Sequence, residues 1–348
     1  IARLDGEEIF RKDYRLDTLG RVGVRFKLPA EIRDGVGTLA LRVADAGITE
    51  TAAKTLPIFM QRLDLVFYPE GGELIAGVPC GVYFEARTVR QDPADVAGRI
   101  VDDEGREVAT FASVHEGRGR MVFTPVAGRS YRAELSKPSG IAKSIALSPV
   151  KEAGFSLRAP AATYAADRPV RVLVGATKDS AATVGLYVRD RELALAPVKL
   201  EGGKPAVVTL RPSKAATGVL RVTVFDAAGN PQAERLVFRS PPRGLSVSLT
   251  PESDSAVPGG KIRFHVETKD ALGRPVQAIV GLAATDDAVL SKIDPRERPA
   301  RLPAQALLGA EVQELMDADV YLDGSDEGAA HTDLLLGTQG WRRFAFLA

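Results

Sequence analysis

Residues 257–290 read VPGGKIRFHVETKDALGRPVQAIVGLAATDDAVL, and the fold follows from this stretch. It opens on a Pro-Gly-Gly turn. From Lys261 to Lys269 it alternates strictly. Ile262, Phe264, Val266 and Thr268 fall on one side, and Lys261, Arg263, His265, Glu267 and Lys269 on the other. A period of two marks a strand with one buried and one wet face. Asp270, Gly273 and Pro275 then supply turn chemistry. A second strand is expected from Val276 to about Ala284, giving a hairpin of an antiparallel sandwich.

The same alternation recurs upstream. Residues 1–59 carry "LDTLGRVGVRFKLP", with Val22, Val24, Phe26 and Leu28 in register, and a strand pair around an Ala46-Gly47 turn. That is too few strands for a sandwich, so this part reads as a partial module. Residues 60–149 hold a strand, a Pro-Glu-Gly-Gly turn and a second strand. A hairpin with Asp103-Glu104-Gly105 as its turn follows, and then a closing pair. Residues 150–241 read as four successive strands or hairpins, the last turning at Ala228-Gly229-Asn230-Pro231. Residues 242–348 add the opening stretch, with an inserted loop and helix over 291–332. There Leu308, Val312, Leu315 and Met316 share one helical face. "DGSDEGAAHTD" reads as an acidic exposed loop, and "LLLGTQGWRRFAF" as a closing strand. The expected fold class is all-β: tandem antiparallel β-sandwich modules of immunoglobulin-like type, with a short helical insertion in the last.

The totals agree with that picture. A chain of 348 residues suits three or four modules of about 90–110 residues. The net charge of +1 gives no field for nucleic acid or an anionic membrane. No run approaches the roughly 18 apolar residues of a membrane span. The first residues lack the features of a signal peptide and the chain starts without Met, so it is expected to be an internal piece of a longer protein. Cys80 is the only cysteine, which rules out an intrachain disulfide and suits a small buried hydrophobe.

Several phrases also resemble the α2-macroglobulin family. "PGGKIRFHVETKDALGRPV" followed by "VGLAATDDAVL" is similar to a module of that family, with Asp286-Asp287 where an Asp-Glu pair is usual. "PEGGELIAG", "HEGRGRMVFTPVAGRSYRAEL", "GVLRVTVFDAAGNPQAERLVF" and "LLLGTQGWRRF" resemble bacterial macroglobulin-like proteins, some of them fused to outer-membrane receptor or anchoring segments. The resemblance implies macroglobulin-type sandwiches and a periplasmic, cell-surface or secreted location. It also implies a protease-sensitive bait segment after Ala288-Val289-Leu290. The family's Cys-Gly-Glu-Gln thioester is absent from this piece, where Cys80 stands in Pro-Cys-Gly-Val.

The chemistry-bearing residues are sparse. There is no Gly-x-Ser-x-Gly elbow, phosphate loop or His-Glu-x-x-His, and the three histidines lie in separate segments. No catalytic residue, metal ligand or cofactor site is assigned, and no enzymatic activity is expected. His115, Arg118 and Arg120 crowd a Gly-rich connection, which reads as a partner contact or as a solvated turn. His265 sits on a wet strand face. Asp317, Asp319, Asp323, Asp326 and Glu327 are dense, but Tyr321 breaks calcium-loop spacing. Asp286 or Asp287 suits a helix cap. Trp341, Arg342 and Arg343 form either a protein-binding hot spot or a strand anchor.

Two functions follow as expectations. One is a non-catalytic scaffold or interaction segment of an exported bacterial macroglobulin-like protein, with protein partners and homotypic contact through sheet edges. The other is protease trapping, with 291–332 as bait and Arg296, Arg298 and Arg301 as the bonds cut.

Overall fold

The computed structural model describes residues 1–17, 20–29, 36–45, 48–57, 63–138, 144–161, 163–242, 245–253, 259–285 and 302–340. The chain divides into two compact units. The first holds Ile1–Phe67, Val82–Met121 and Arg129–Ser148. The second holds Tyr68–Gly81, Val122–Gly128 and Pro149–Ala348.

The chain opens with β1 (Ala2–Leu4), β2 (Glu7–Phe10), β3 (Val36–Asp45) and β4 (Ile48–Pro57), joined in the order β2-β1-β3-β4. The β3–β4 pair is the one expected from sequence, from Val36 opposite Pro57 to Asp45 opposite Ile48. Its Ala46-Gly47 turn lies outside the described residues. The run through Val22, Val24 and Leu28 forms no strand; Val22 and Leu28 stay exposed, while Phe26 stacks on Phe10 at 5.2 Å.

Next come β5 (Leu63–Pro69), β6 (Leu74–Ile75), β7 (Cys80–Thr88), β8 (Ala97–Asp102) and β9 (Glu107–Ala112). They are followed by β10 (Arg118–Phe123), β11 (Tyr131–Lys137), β12 (Ile145–Ala146) and β13 (Val150–Lys151). Two sheets result, β10-β7-β5 and β12-β11-β8-β9, with β13 beside β6. In the first unit Phe67, Phe84 and Phe111 close the core edge-on, with ring centroids 5.1–6.2 Å apart. Such tilted contacts add to the burial of each ring.

The second unit is built on a complete sandwich. Its strands are β14 (Phe155–Arg158), β15 (Thr163–Tyr164), β16 (Val170–Ala176), β17 (Ser180–Val188), β18 (Arg191–Leu200), β19 (Ala206–Leu210), β20 (Gly218–Asp226) and β21 (Pro231–Arg239). One sheet runs β14-β16-β19, the other β15-β21-β20-β17-β18. Alternate residues face inward: Val170, Val172 and Val174 of β16 meet Val184 and Leu186 of β17 and Leu220, Val222 and Val224 of β20. Arg239 is fully buried at one end, where its guanidinium donates to the carbonyls of Ala166, Arg168, Ser213 and Ala216.

Residues 259–285 depart from expectation. They form β23 (Phe264–Asp270), whose ladder partner is β22 (Leu245–Pro251); the segment after it meets β23 only at the turn, through a Lys269–Pro275 bridge and the Val276 N–H on the Thr268 carbonyl. Residues 276–285 form no strand. Val276, Ala278, Val280 and Leu282 do keep a period of two, but Val276, Val280 and Leu282 are 40%, 40% and 56% exposed, so among the described residues that face packs against nothing that would hold it in a ladder. "LSVSLTP" at 245–251 also alternates strictly and takes the place in the ladder.

A helical patch completes the second unit: α1 (Leu302–Leu308), a single turn at Ala318–Val320, and α2 (Asp326–Thr338). Here too the structure corrects the sequence. "DEGAAHT" is not a loop, nor "LLLGT" a strand. Ser325 caps α2, its hydroxyl accepting from the Gly328 N–H at 2.9 Å. Asp326 and Glu327 stand in the first turn, where the helix dipole favours negative charge. A short apolar run after such a cap continues the helix. Leu308 and Val312 of the expected helical face are buried, but α1 ends at Leu308.

No helix among the described residues is long and apolar enough to cross a membrane.

Candidate functional site

The Pro69-Glu70-Gly71-Gly72 turn projects into the sandwich of the second unit. Gly72 N–H closes the turn on the Pro69 carbonyl at 2.9 Å. Gly71 pairs with Glu234 of β21, whose N–H donates to the Gly71 carbonyl at 3.1 Å. The Glu70 side chain is wholly buried. One oxygen accepts from the Ala159 N–H at 2.7 Å and from Arg235 Nε at 3.2 Å. The same guanidinium reaches the Asp333 carboxylate on α2 through Nη2. Arg235 is 3% exposed and Asp333 15%. Two carboxylates thus flank one planar fork of donors, the geometry a guanidinium serves best.

The helices cover part of the outer face of the five-stranded sheet. Val219 of β20 and Leu236 and Phe238 of β21 pack against Leu308, Val312, Ala318, Tyr321, Leu335 and Leu336. Arg189 and Glu311 add an ion pair at 3.6 Å. Beside the helices the same sheet face stays open as a groove of about 750 Å³. Ala181 and Thr183 line it, with Tyr187, Phe225, Leu195 and Pro197. Arg221 lies over the Tyr187 ring at 5.4 Å, and burial raises the Tyr187 phenol above its ordinary pKa. A smaller cleft of about 390 Å³ lies at the start of α2, lined by Tyr164, Phe238, Leu307 and Asp323.

The residues singled out from sequence fall differently. Arg118, read as a partner contact, is 1% exposed and donates from Nε to Glu85 at 2.8 Å. Glu85 also takes Arg87 at 3.0 Å. Arg118 therefore belongs to the interior of the first unit, and of its neighbours at positive φ Glu116 is half-buried and Gly117 buried. Arg120 is half-buried over the Tyr83 ring at 5.1 Å. His115 is half-buried at the same turn. Cys80 is buried, its sulfur within 3.6 Å of the Ile75 carbonyl, and burial raises its thiol pKa. His265 is exposed near Glu252, at 3.3 Å. Arg296, Arg298, Arg301, Asp286, Asp287, Trp341, Arg342 and Arg343 lie outside the described residues.

Sequence reading missed Glu70, Arg235 and Asp333. Their signal was present, because a Glu inside a Gly-Gly turn and an Arg inside the apolar run of β21 both put charge where a sheet wants none.

No protein-family model matches the chain, and no curated protein matches it. Solved structures do. Escherichia coli α2-macroglobulin activated by porcine elastase is similar over 62% of this chain, at 15% identity and a TM-score of 0.22. Salmonella α2-macroglobulin reacted with methylamine is similar over 70%, at 12% identity and a TM-score of 0.26. Invasin, a bacterial integrin-binding protein, is similar over 64% of this chain and 49% of its own, at 15% identity and a TM-score of 0.25. The chain spans 26% and 21% of the two macroglobulins.

Proposed function

We propose that this chain is a non-catalytic scaffold and interaction segment of an exported bacterial macroglobulin-like protein, working at the periplasm, the cell surface or outside the cell. Its partners are proteins, and it uses no cofactor. Its modules are those read from sequence, 1–59, 60–149, 150–241 and 242–348. The observation that carries this reading is the buried line Glu70–Arg235–Asp333. It gathers a turn from the second module, a strand from the third and a helix from the fourth into one packed body. Such a device fixes elements in place and does nothing to a substrate.

Protease challenge tests the reading against trapping. A scaffold exposed to a trypsin-like protease neither inhibits it nor changes dimensions in small-angle scattering. A trap is nicked at Arg296, Arg298 or Arg301 and then compacts. Inhibition of the protease together with compaction would overturn the scaffold reading. Residues 302–332 hold no Lys or Arg, so a trypsin-like cut in the bait-like segment would have to fall within 291–301.

A further inference from the structure

Among the described edge strands of seven residues or more, β22 alone carries neither a charge nor an internal proline; of the shorter edges longer than two residues, only the five-residue β19 (AVVTL) shares this feature. An open edge offers unpaired N–H and C=O groups to any strand that arrives, and proteins guard such edges with charge or proline. The edge strand β4 carries Glu50 and Lys54, and β5 carries Asp64. The edge strand β18 carries Arg191, Glu192 and Lys199, with Pro197 among them. The far side of β23 is partly occupied, since Val276 N–H donates to the Thr268 carbonyl at 3.0 Å. β22 reads LSVSLTP over seven residues, without a charge and without proline before its last position. Among the described residues it pairs with β23 alone. Leu245, Val247 and Leu249 line one face and are 49%, 51% and 47% exposed.

We propose that β22 pairs antiparallel with the β22 of a second copy of this chain, across a twofold axis at Ser248. The pattern is self-complementary in that register. Val247 falls opposite Leu249 of the copy, Leu245 opposite its Pro251, and Ser246 opposite its Thr250. Every apolar residue stays on one face because opposed positions share parity. No charge meets a like charge across the axis, so the repulsion that guards β4, β5 and β18 is absent. Two two-stranded sheets, each marginal alone, become one of four strands. A C2 contact of this kind is isologous and closes at two copies.

The test uses the full chain, by light scattering on a sizing column across a concentration series. The wild type is expected to move from one-chain to two-chain mass. Val247→Lys, a change at a half-exposed site, is expected to hold the one-chain mass. Ser248→Cys reports the register. Residues directly opposite in a ladder have Cβ atoms roughly 4.5–5.5 Å apart, close to disulfide geometry. It is expected to cross-link on mild oxidation, and Ser246→Cys, offset by about 13 Å from its own copy, to stay monomeric. A single-chain mass at every concentration overturns the proposal. So does cross-linking at 246 as readily as at 248, or a dimer without cross-linking at 248, which would mean packing by another surface. The scaffold reading stands under any of these outcomes.

Discussion

Glu70 and Arg235 stand 165 residues apart in sequence, and their side chains meet at 3.2 Å with no more than 3% of either exposed. Removing one member of a buried ion pair leaves the other desolvated and uncompensated, at a cost of about 3–5 kcal/mol. Glu70→Ala is therefore expected to lower the stability of the second unit by that order. Glu70→Gln keeps an acceptor for the Ala159 N–H and should cost less. The check is urea unfolding followed by hydrogen exchange at 157–160 and 326–338, which assigns the loss to the unit. Equal stability of wild type and Glu70→Ala would show that the pair contributes nothing.

The turn that delivers Glu70 depends on glycine for two separable reasons. Gly71 has φ +91, and a Cβ there would lie 3.3 Å from the backbone N and O of Leu157. Gly229 has φ +85, with nothing within 4 Å of the added atom. An alanine at either place takes the left-handed strain, roughly 1–2 kcal/mol. Only Gly71→Ala also presses on β14. Gly71→Ala is expected to destabilise more than Gly229→Ala in thermal melts. The opposite ranking would remove the close approach from the account.

Two hairpins, at Asp102 and Asp226, and the turn that ends β23, at Asp270, share one pattern, Asp-x-x-Gly. In each, one carboxylate oxygen accepts from the N–H two and four residues on, at 2.8–3.0 Å. The Asn230 N–H, then the Asn230 side chain and the Ala228 N–H, hold the Asp226 carboxyl below its usual pKa. The Arg274 guanidinium and its N–H do the same for Asp270. A depressed carboxylate stabilises the fold fully above its unfolded pKa of about 3.9. That contribution is lost as the pH falls through the lower folded value. Thermal midpoints should hold above about pH 5 and fall in acid. Asp226→Asn and Asp270→Asn should flatten that fall. An acid profile unchanged in the double variant would refute the assignment.

What could be read from sequence was whatever is local. The β3–β4 and β8–β9 hairpins followed from alternation plus turn chemistry, and both stand in the structure. The errors came where local signals were ambiguous or the partner was distant. Leu334-Leu335-Leu336 reads as strand or helix by hydrophobicity alone, and the Ser325 cap decided for helix. Phe264–Asp270 is legible as a strand from its alternation, but its ladder partner lies upstream in Leu245–Pro251. The Glu70–Arg235–Asp333 line spans three parts of the chain, and periodicity carries no information about such a meeting. Arg118 looked available because it sits between glycines, and only its pairing with Glu85 shows otherwise.

Residues 302–340 contain no Lys or Arg, so trypsin cannot report on them, but thermolysin can. Among the apolar sites there, Leu302 at the very start is 80% exposed, but Leu308, Val312, Leu334, Leu335 and Leu336 are buried. Val276, Ile279, Val280 and Leu282 are exposed on backbone without a ladder. Cleavage needs local opening, and well-packed segments open rarely. First cuts are therefore expected within 276–282 and at Leu302, with 308–340 retained on the sandwich. Leu335→Ala removes a wholly buried side chain from the helix–sheet contact, at a cost of about 2–5 kcal/mol. It should make 308–340 cleavable under the same conditions. If wild-type 308–340 is cut as fast as 276–282, the helices are not held on β20 and β21 in solution, and the packed body around Arg235 loses one of its three members.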